Sequence, residues 1–146
     1  MAIDTILVAV GRDDEARVNR LMEVAIELAE ETDSDVVVGH AFETQGDVDD
    51  ALDRLDLADG SPTDVARRLE SVRRASRALD DAGVDYEVSG VVGSAGEAIS
   101  GLAERVGADR VIVGGRKRSP TGKAVFGSAA QRIMLSSPCP VTFVRE

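Results

Sequence analysis

Two hydrophobic periods alternate along this chain of 146 residues. Short runs of consecutive apolar residues, bounded by glycine or polar residues, are typical of strands buried on both faces of a sheet. Between these runs, apolar residues recur every three or four positions, which is the spacing of an amphipathic helix. Strands that alternate with helices indicate βαβ crossovers, so the pattern predicts an α/β fold with a parallel sheet covered on both faces. The predicted strands cover residues 6–10, 36–41, 86–92, 111–113 and 141–144.

One long helix is predicted before the third strand. Ser61 is expected to cap its start, an apolar stripe runs through residues 65–79, and Gly83 lies where a C-terminal cap belongs. The preceding segment, residues 43–60, is acidic and poor in large apolar side chains. It is therefore predicted to be a surface excursion with a short helical turn near residues 52–55.

The remaining helices have clear predicted starting points. Ser94 and Glu97 have the spacing of a capping box and predict the helix that follows the third strand. The last helix is predicted over residues 128–135. The length of the chain fits one domain, predicted to cover residues 1–146. Because the first residues run into a strand without a basic stretch or cleavage site, we expect a cytoplasmic protein.

Composition narrows the classes of partner. The net charge of −10 argues against general affinity for nucleic acids or anionic membranes, which both require a basic surface. No run of about 18 apolar residues is present to span a bilayer. Aspartate outnumbers glutamate, and arginine supplies nearly all of the positive charge. This balance predicts a salt-loving source, the alternative being an ordinary acidic cytosolic protein.

The sequence contains few residues of the types that catalysis or metal binding requires. Cys139 is the only cysteine and His40 the only histidine. A disulfide within the chain and a zinc site of several cysteine or histidine ligands are therefore excluded. A serine–histidine–aspartate triad would depend on His40 alone, and we expect that residue to be packed or capping rather than catalytic. We predict no metal site.

The most unusual segment is a basic, glycine-bearing stretch at residues 114–128, between the fourth strand and the last helix. Both lysines, Lys117 and Lys123, lie in it, beside Arg116 and Arg118. Ligands of open parallel sheets bind beyond the carboxyl ends of the strands, and small residues let backbone N–H groups approach a phosphate. The segment therefore favours an anion site. The alternative is a solvated loop whose basic residues meet acidic neighbours or a partner's acidic surface.

The spacing of this segment matches a known pattern. Gly114, Gly127 and Ser128 fit the motif Gly-x2-Gly-x9-Gly-Ser/Thr, and residues 137–141 strengthen the match. The chain resembles the universal stress protein family from end to end, and many members of that family bind ATP at this motif. The resemblance implies a doubly wound, five-stranded parallel sheet of the adenine nucleotide alpha hydrolase-like type, with strand order 3-2-1-4-5.

The resemblance also implies roles for particular residues. Gly114 would lie against the ribose and phosphate region of the nucleotide. Gly127 and Ser128 would bind phosphate oxygens through backbone amides and the Ser128 hydroxyl. The backbone of Ala41 would meet the adenine edge. Arg116 is a candidate binding residue because of its place in the basic cluster, not because of the resemblance, and Mg²⁺ is a candidate companion of ATP.

Two positions depart from the family pattern. The middle glycine of the motif is Lys117, whose ammonium group could bind the phosphates or whose side chain could obstruct the pocket. The aspartate that follows the first strand in ATP-binding members is Gly11 in this chain. Asp13 or Asp14 could replace that aspartate through a shifted loop.

These observations predict a regulatory protein that binds an adenine nucleotide and hydrolyses ATP slowly at most, since no nucleophile–base pair or paired metal carboxylates stand out. The alternative is an interaction module of the same family without nucleotide, and a more distant one is a flavin or adenylate enzyme. The short apolar strand at residues 141–144 predicts a homodimer formed through an exposed sheet edge. Arg145 and Glu146 could instead blunt that edge and leave a monomer.

Overall fold

The computed structural model describes residues 2–12, 15–115 and 127–145. Within these ranges, helical segments follow each of the first four strands, in agreement with the alternating hydrophobic periods. In chain order the elements are β1 (Thr5–Ala9), α1 (Glu15–Thr32), β2 (Asp35–Phe42), α2 (Gln45–Arg54), α3 (Pro62–Ala66), α4 (Glu70–Ala82), β3 (Tyr86–Val92), α5 (Ala95–Val106), β4 (Arg110–Gly114), α6 (Ser128–Ser136) and β5 (Val141–Val144).

All paired strands of the sheet are parallel, and their order is β3-β2-β1-β4-β5, which confirms the predicted fold and strand order. β1 lies at the centre, where Leu7 is in register with Val37 of β2 on one side and Val111 of β4 on the other. The chain therefore builds the sheet outward from β1 to β3, and then crosses to the other side of β1 to add β4 and β5.

Helices cover both faces of the sheet because successive strand residues point in opposite directions. Ile6 and Val8 of β1 pack on the side of α1 and α4, whereas Leu7 packs on the side of α5 and α6. All three side chains are fully buried. Within the described ranges, no helix is both long and apolar enough to cross a membrane.

The acidic segment before the third strand contains more helix than the sequence predicted. α2 has ten residues rather than a short turn, and Thr44 caps its start with a capping box to Asp47. Val48 and Leu52 of α2 are buried against Phe42 and form a small separate core. The tertiary contact with Phe42 supports a helix whose apolar residues are too few to dominate the sequence pattern.

The prediction of a single helix over residues 61–83 is wrong. The helical segment is interrupted between α3 and α4, and Leu69 is the N-cap residue of α4. The predicted ends of the segment are confirmed: Ser61 forms a side-chain cap, and Gly83 ends α4 in the left-handed conformation at φ 71°. The break follows from how closely α3 packs on β3. A side chain at Gly90 would overlap the Pro62 carbonyl group, so the orientation of α3 is fixed by the sheet rather than by the axis of α4.

The capping box predicted at the start of α5 does not form. Ser94 is the N-cap residue, but its side chain makes no capping hydrogen bond. The chain enters α5 through Gly93 at φ 142°, a backbone conformation that glycine adopts readily. This entry sets the direction of the first helical turn without help from the Ser94 hydroxyl.

Candidate functional site

A cleft of about 320 Å³ opens at the carboxyl ends of β1, β2 and β4, and we name it the strand-end cleft. It lies where the strand order reverses, since β1 is followed by β2 on one side and bordered by β4 on the other. Open parallel sheets bind their ligands at this topological position. The strand ends in its wall are Ala9 to Gly11, Gly39 to Ala41, and Val113 with Gly114, and the helical residues are Ala95, Ile99, Gly127 to Ala130 and Ile133.

The fold brings five of the predicted site residues to this one cleft. They come from three strand ends and the start of α6, although they are widely separated along the chain. The predicted residues Asp13, Arg116 and Lys117 lie outside the described residues. The five that line the cleft are Gly11, Ala41, Gly114, Gly127 and Ser128.

His40 stabilises the base of the cleft. The residue is 5% exposed, and its Nδ1 atom lies 2.8 Å from the carbonyl oxygen of Val10, to which it donates. The ring also meets Phe42 edge-on, with the ring centres 4.7 Å apart. Val10 in turn donates its backbone N–H to the Gly39 carbonyl oxygen at 2.9 Å. His40 therefore helps to hold the ends of β1 and β2 together, as expected for a packed histidine.

Glycines at the cleft serve different steric purposes. A Cβ atom at Gly39 would come within 2.9 Å of Leu7 and 3.0 Å of Leu102, so this position needs glycine for close packing. A Cβ atom at Gly115 would overlap the ring of Phe143. At Gly114 the nearest side-chain atoms would lie 3.4 Å away, on the α1 side of the sheet. The strict demand for glycine at the end of β4 thus falls on Gly115, which the motif does not include.

The start of α6 presents open backbone amides to the cleft. Its N-cap residue is Gly127, which has no side chain to satisfy them, and the first turn carries no acidic residue. The first N–H groups of a helix lack partners within the helix, and they carry the positive end of the helix dipole. This wall of the cleft is therefore suited to a phosphate or another anion.

Two charged residues of the cleft were missed from the sequence. Arg17 of α1 and Glu43, which follows β2, both line it. Arg17 stands four residues before the buried Leu21 and so belongs to the apolar stripe of α1, a position where an arginine is unusual. That placement was the available signal for Arg17. Nothing comparable marked Glu43, since it stands at the start of an acidic segment.

Two carboxyl groups of the described residues, those of Asp109 and Asp64, have clearly shifted pKa values, and neither lines the strand-end cleft. Backbone hydrogen bonds from Asp4 and Thr5, with N···O distances of 2.8 and 3.2 Å, hold the pKa of Asp109 below its ordinary value. A backbone hydrogen bond from Ser61, followed by the Ser61 hydroxyl, lowers the pKa of Asp64. Asp109 thus joins the start of β4 to the start of β1, at the amino ends of the strands, whereas the cleft lies at their carboxyl ends.

The described residues contain no cluster of three or more histidine, cysteine, aspartate or glutamate side chains placed to hold a metal ion. The strand-end cleft combines apolar walls, small residues and open amides, with one basic and one acidic side chain. Such a site can hold a flat, partly apolar molecule that carries an anionic group.

Comparisons with known proteins identify relatives of this chain and structures that share its fold. Residues 2–145 match the model of the universal stress protein family. A universal stress protein of Mycolicibacterium smegmatis is 38% identical over 68 residues, which cover 46% of this chain and 52% of that protein. The chain spans about half the length of the curated relatives it matches.

Solved structures share the fold along nearly the whole chain. A universal stress protein of Archaeoglobus fulgidus superposes with a TM-score of 0.74 at 26% identity, covering 97% of this chain and 98% of that one. A universal stress protein from the same organism, solved in complex with dAMP, gives a TM-score of 0.69 at 21% identity and covers 99% of both chains. The chain is similar in fold to both proteins.

Proposed function

Because this chain belongs to the universal stress protein family, we propose that its strand-end cleft binds an adenine nucleotide and that occupancy regulates a stress response. The observation that carries the proposal is the convergence of Gly11, Ala41, Gly114, Gly127 and Ser128 on one cleft at the reversal of strand order. An A. fulgidus protein of the same fold was solved with dAMP, which supports an adenine nucleotide as the class of ligand.

The lining of the cleft suggests how the nucleotide lies. The adenine ring would sit beside the end of β2, where the backbone of Ala41 can meet its polar edge. The ribose would pass Gly114 at the end of β4. The phosphates would lie at the start of α6, near the amides of Gly127 and Ser128. Arg17 would supply the nearest positive charge from the described lining of the cleft.

ATP is the nucleotide that we propose first. The carboxylates of the described residues form no metal cluster, so Mg²⁺ would enter the cleft on the phosphates. Arg116 and Lys117 would add positive charge from the segment that follows β4. Hydrolysis would be slow at most, because the proposed contacts bind the phosphates without supplying a general base.

The test begins with the nucleotide content of freshly purified protein, released by denaturation and identified by mass spectrometry. Titration with ATP by calorimetry in molar salt follows, because salt screens the self-repulsion of a chain of net charge −10. Retained or titratable adenine nucleotide supports the proposal. A protein that neither retains nor binds any adenine nucleotide would contradict it.

A second candidate function is an interaction module that works without nucleotide. Leu135 on α6 favours it, since this leucine is 89% exposed. α6 packs beside β5, whose other neighbour in the sheet is open among the described strands. We propose that a homodimer forms through β5, at residues 141–144. Sedimentation in molar salt tests this directly, and a monomer at every concentration would argue against it.

A further inference from the structure

A second cleft, of about 330 Å³, lies between α2, the α3–α4 junction and the connection from β1 to α1. Its floor is apolar and consists of Ala51, Leu55 and Leu69. Leu55 is 38% exposed, which makes it one of the few large apolar side chains left accessible on the described surface. The floor can therefore receive the apolar part of a ligand.

Three arginines surround this floor: Arg12, Arg54 and Arg68. None of them forms a salt bridge with a carboxylate among the residues that the structure describes. Arg74 and Arg77 of α4, by contrast, both contact Glu70. Arg68 does interact electrostatically with Asp64. In a chain of net charge −10, three arginines against one acidic residue, Glu70, in the described lining still make the cleft locally positive. We name this site the arginine cleft.

The start of α4 adds open amides to the same cleft. Leu69 is the N-cap residue of this 13-residue helix and makes no side-chain capping bond. Glu70, also in the lining, directs its carboxylate to Arg74 and Arg77 at 3.3 and 3.4 Å. The helix dipole and the arginines thus both favour an anionic group in this cleft.

Neighbouring aspartates limit the charge that the ligand can carry. Asp47, Asp50 and Asp53 line an adjoining recess together with Arg12 and Arg54. A polyphosphate would extend from the arginines toward these carboxylates and be repelled by them. A single anionic group on an apolar body avoids that contact.

We propose that the arginine cleft binds a small amphipathic monoanion, such as an aromatic or aliphatic carboxylate or sulfonate. Its apolar body lies on Ala51, Leu55 and Leu69, and its anionic group meets the arginines at the start of α4. This site is separate from the strand-end cleft, and its occupancy does not depend on nucleotide binding.

The test uses two fluorescent probes that share an aromatic body. The first, 8-anilinonaphthalene-1-sulfonate, is a monoanion, and the second, N-phenyl-1-naphthylamine, is its uncharged counterpart. We expect the double variant Arg54→Gln/Arg68→Gln to weaken binding of the sulfonate about tenfold, because charge-assisted hydrogen bonds to the guanidinium groups are lost. Binding of the neutral probe should stay within about twofold.

A charge control is Arg105→Gln, which removes one positive charge, half of what the double variant removes, from the exposed last turn of α5. It should leave the affinity for both probes unchanged. An equal loss of sulfonate binding in this variant, or no loss in the double variant, would overturn the proposal. Because Arg54 and Arg68 are exposed, we expect both proteins to keep the melting temperature of the parent.

Methyl NMR locates the probe independently of affinity. The sulfonate should shift the methyl resonances of Leu55 and Leu69, but not those of Ile99 in the strand-end cleft or of the exposed Leu135. Saturation with ATP should leave these shifts in place. Shifts confined to Ile99 or Leu135 would place the probe elsewhere and reject the arginine cleft as its site.

Discussion

The strand-end cleft and the arginine cleft use different parts of the polypeptide. The first is formed by three strand ends and the glycine-capped start of α6, so backbone groups and small side chains dominate its wall. The second lies among helices, and the arginine side chains around an apolar floor define it. A wall of backbone amides recognises an anion through fixed geometry. Arginine side chains recognise it through their charge and through the N–H groups of a rigid guanidinium group carried on a flexible side chain.

The two sites nevertheless meet at one connection. Gly11 lines the strand-end cleft, and the next residue, Arg12, lines the arginine cleft. The hydroxyl of Ser71 on α4 donates to the Gly11 carbonyl oxygen at 2.7 Å and holds this connection against the helix. Two adjacent residues in the connection that follows a strand can therefore line two different clefts. This arrangement also indicates that the sites should respond to different substitutions.

The largest effect is expected from Ala129→Glu, which adds a carboxylate to the first turn of α6 inside the strand-end cleft. The charge should repel the phosphates and weaken ATP binding about 100-fold, measured by calorimetry. An acidic residue near a helix N-terminus should also preserve or raise the stability of α6, so unfolding does not explain the loss.

Ala129→Gln is the matched control, since it adds a side chain of similar size without charge. We expect a loss of ATP affinity of about tenfold or less in this variant. Binding of 8-anilinonaphthalene-1-sulfonate should remain unchanged in both proteins. Equal ATP affinity in the glutamate variant and the parent would mean that the phosphates do not lie at α6.

The next effect compares two neighbouring glycines at the end of β4. Gly115→Ala would press a methyl group into the Phe143 ring and should lower the free energy of unfolding by about 1–3 kcal/mol. Gly114→Ala meets only ordinary contacts with Leu21 and should change it by less than about 0.5 kcal/mol. Urea denaturation measures both. If Gly114→Ala were the more damaging change, the packing described for the end of β4 would be wrong.

Much of the fold was predictable because buried strands are continuous apolar runs. Residues 36–38 and 111–113 mark two interior strands, and their alternation with helical spacing identifies a parallel sheet. The helix α2 was underestimated because its buried side chains are few and stand among aspartates. The break at Leu69 was invisible for another reason: α3 takes its direction from close contact with Gly90, which lies on a strand distant in sequence.

The lining of the candidate site was predictable only for residues whose spacing along the chain forms a motif. Gly114, Gly127 and Ser128 form a recognisable motif, and the structure places them in one cleft. The importance of Gly115 depends on the register of β4 against β5, which positions Phe143 beside it. The arginine cleft likewise depends on packing between helices, and no spacing of arginines along the chain announces it.

The smallest effect should come from Asp109→Asn, outside both clefts. Asp109 accepts backbone hydrogen bonds from Asp4 and Thr5 at the amino ends of β4 and β1, and these bonds lower its pKa. A carboxyl group with a lowered pKa in the folded state stabilises the fold above its ordinary pKa of about 3.9, and this contribution disappears as the pH falls through the lowered value. The variant should therefore be slightly less stable than the parent at pH 7, and the difference should shrink toward pH 3.

Urea denaturation at both pH values measures the difference, with Asp59→Asn as a control that removes an equal charge from an exposed position. Affinities for ATP and for the sulfonate probe should be unchanged in both variants. Asp109 lies at the amino ends of the strands, away from the strand-end cleft, and it lines neither site. A stability difference that did not shrink at all between pH 7 and pH 3 would show that the side chain acts through packing instead of charge. A change in either affinity would mean that the substitution at Asp109 affects the ligand sites through the sheet. The two clefts would then not be independent of the amino ends of the strands.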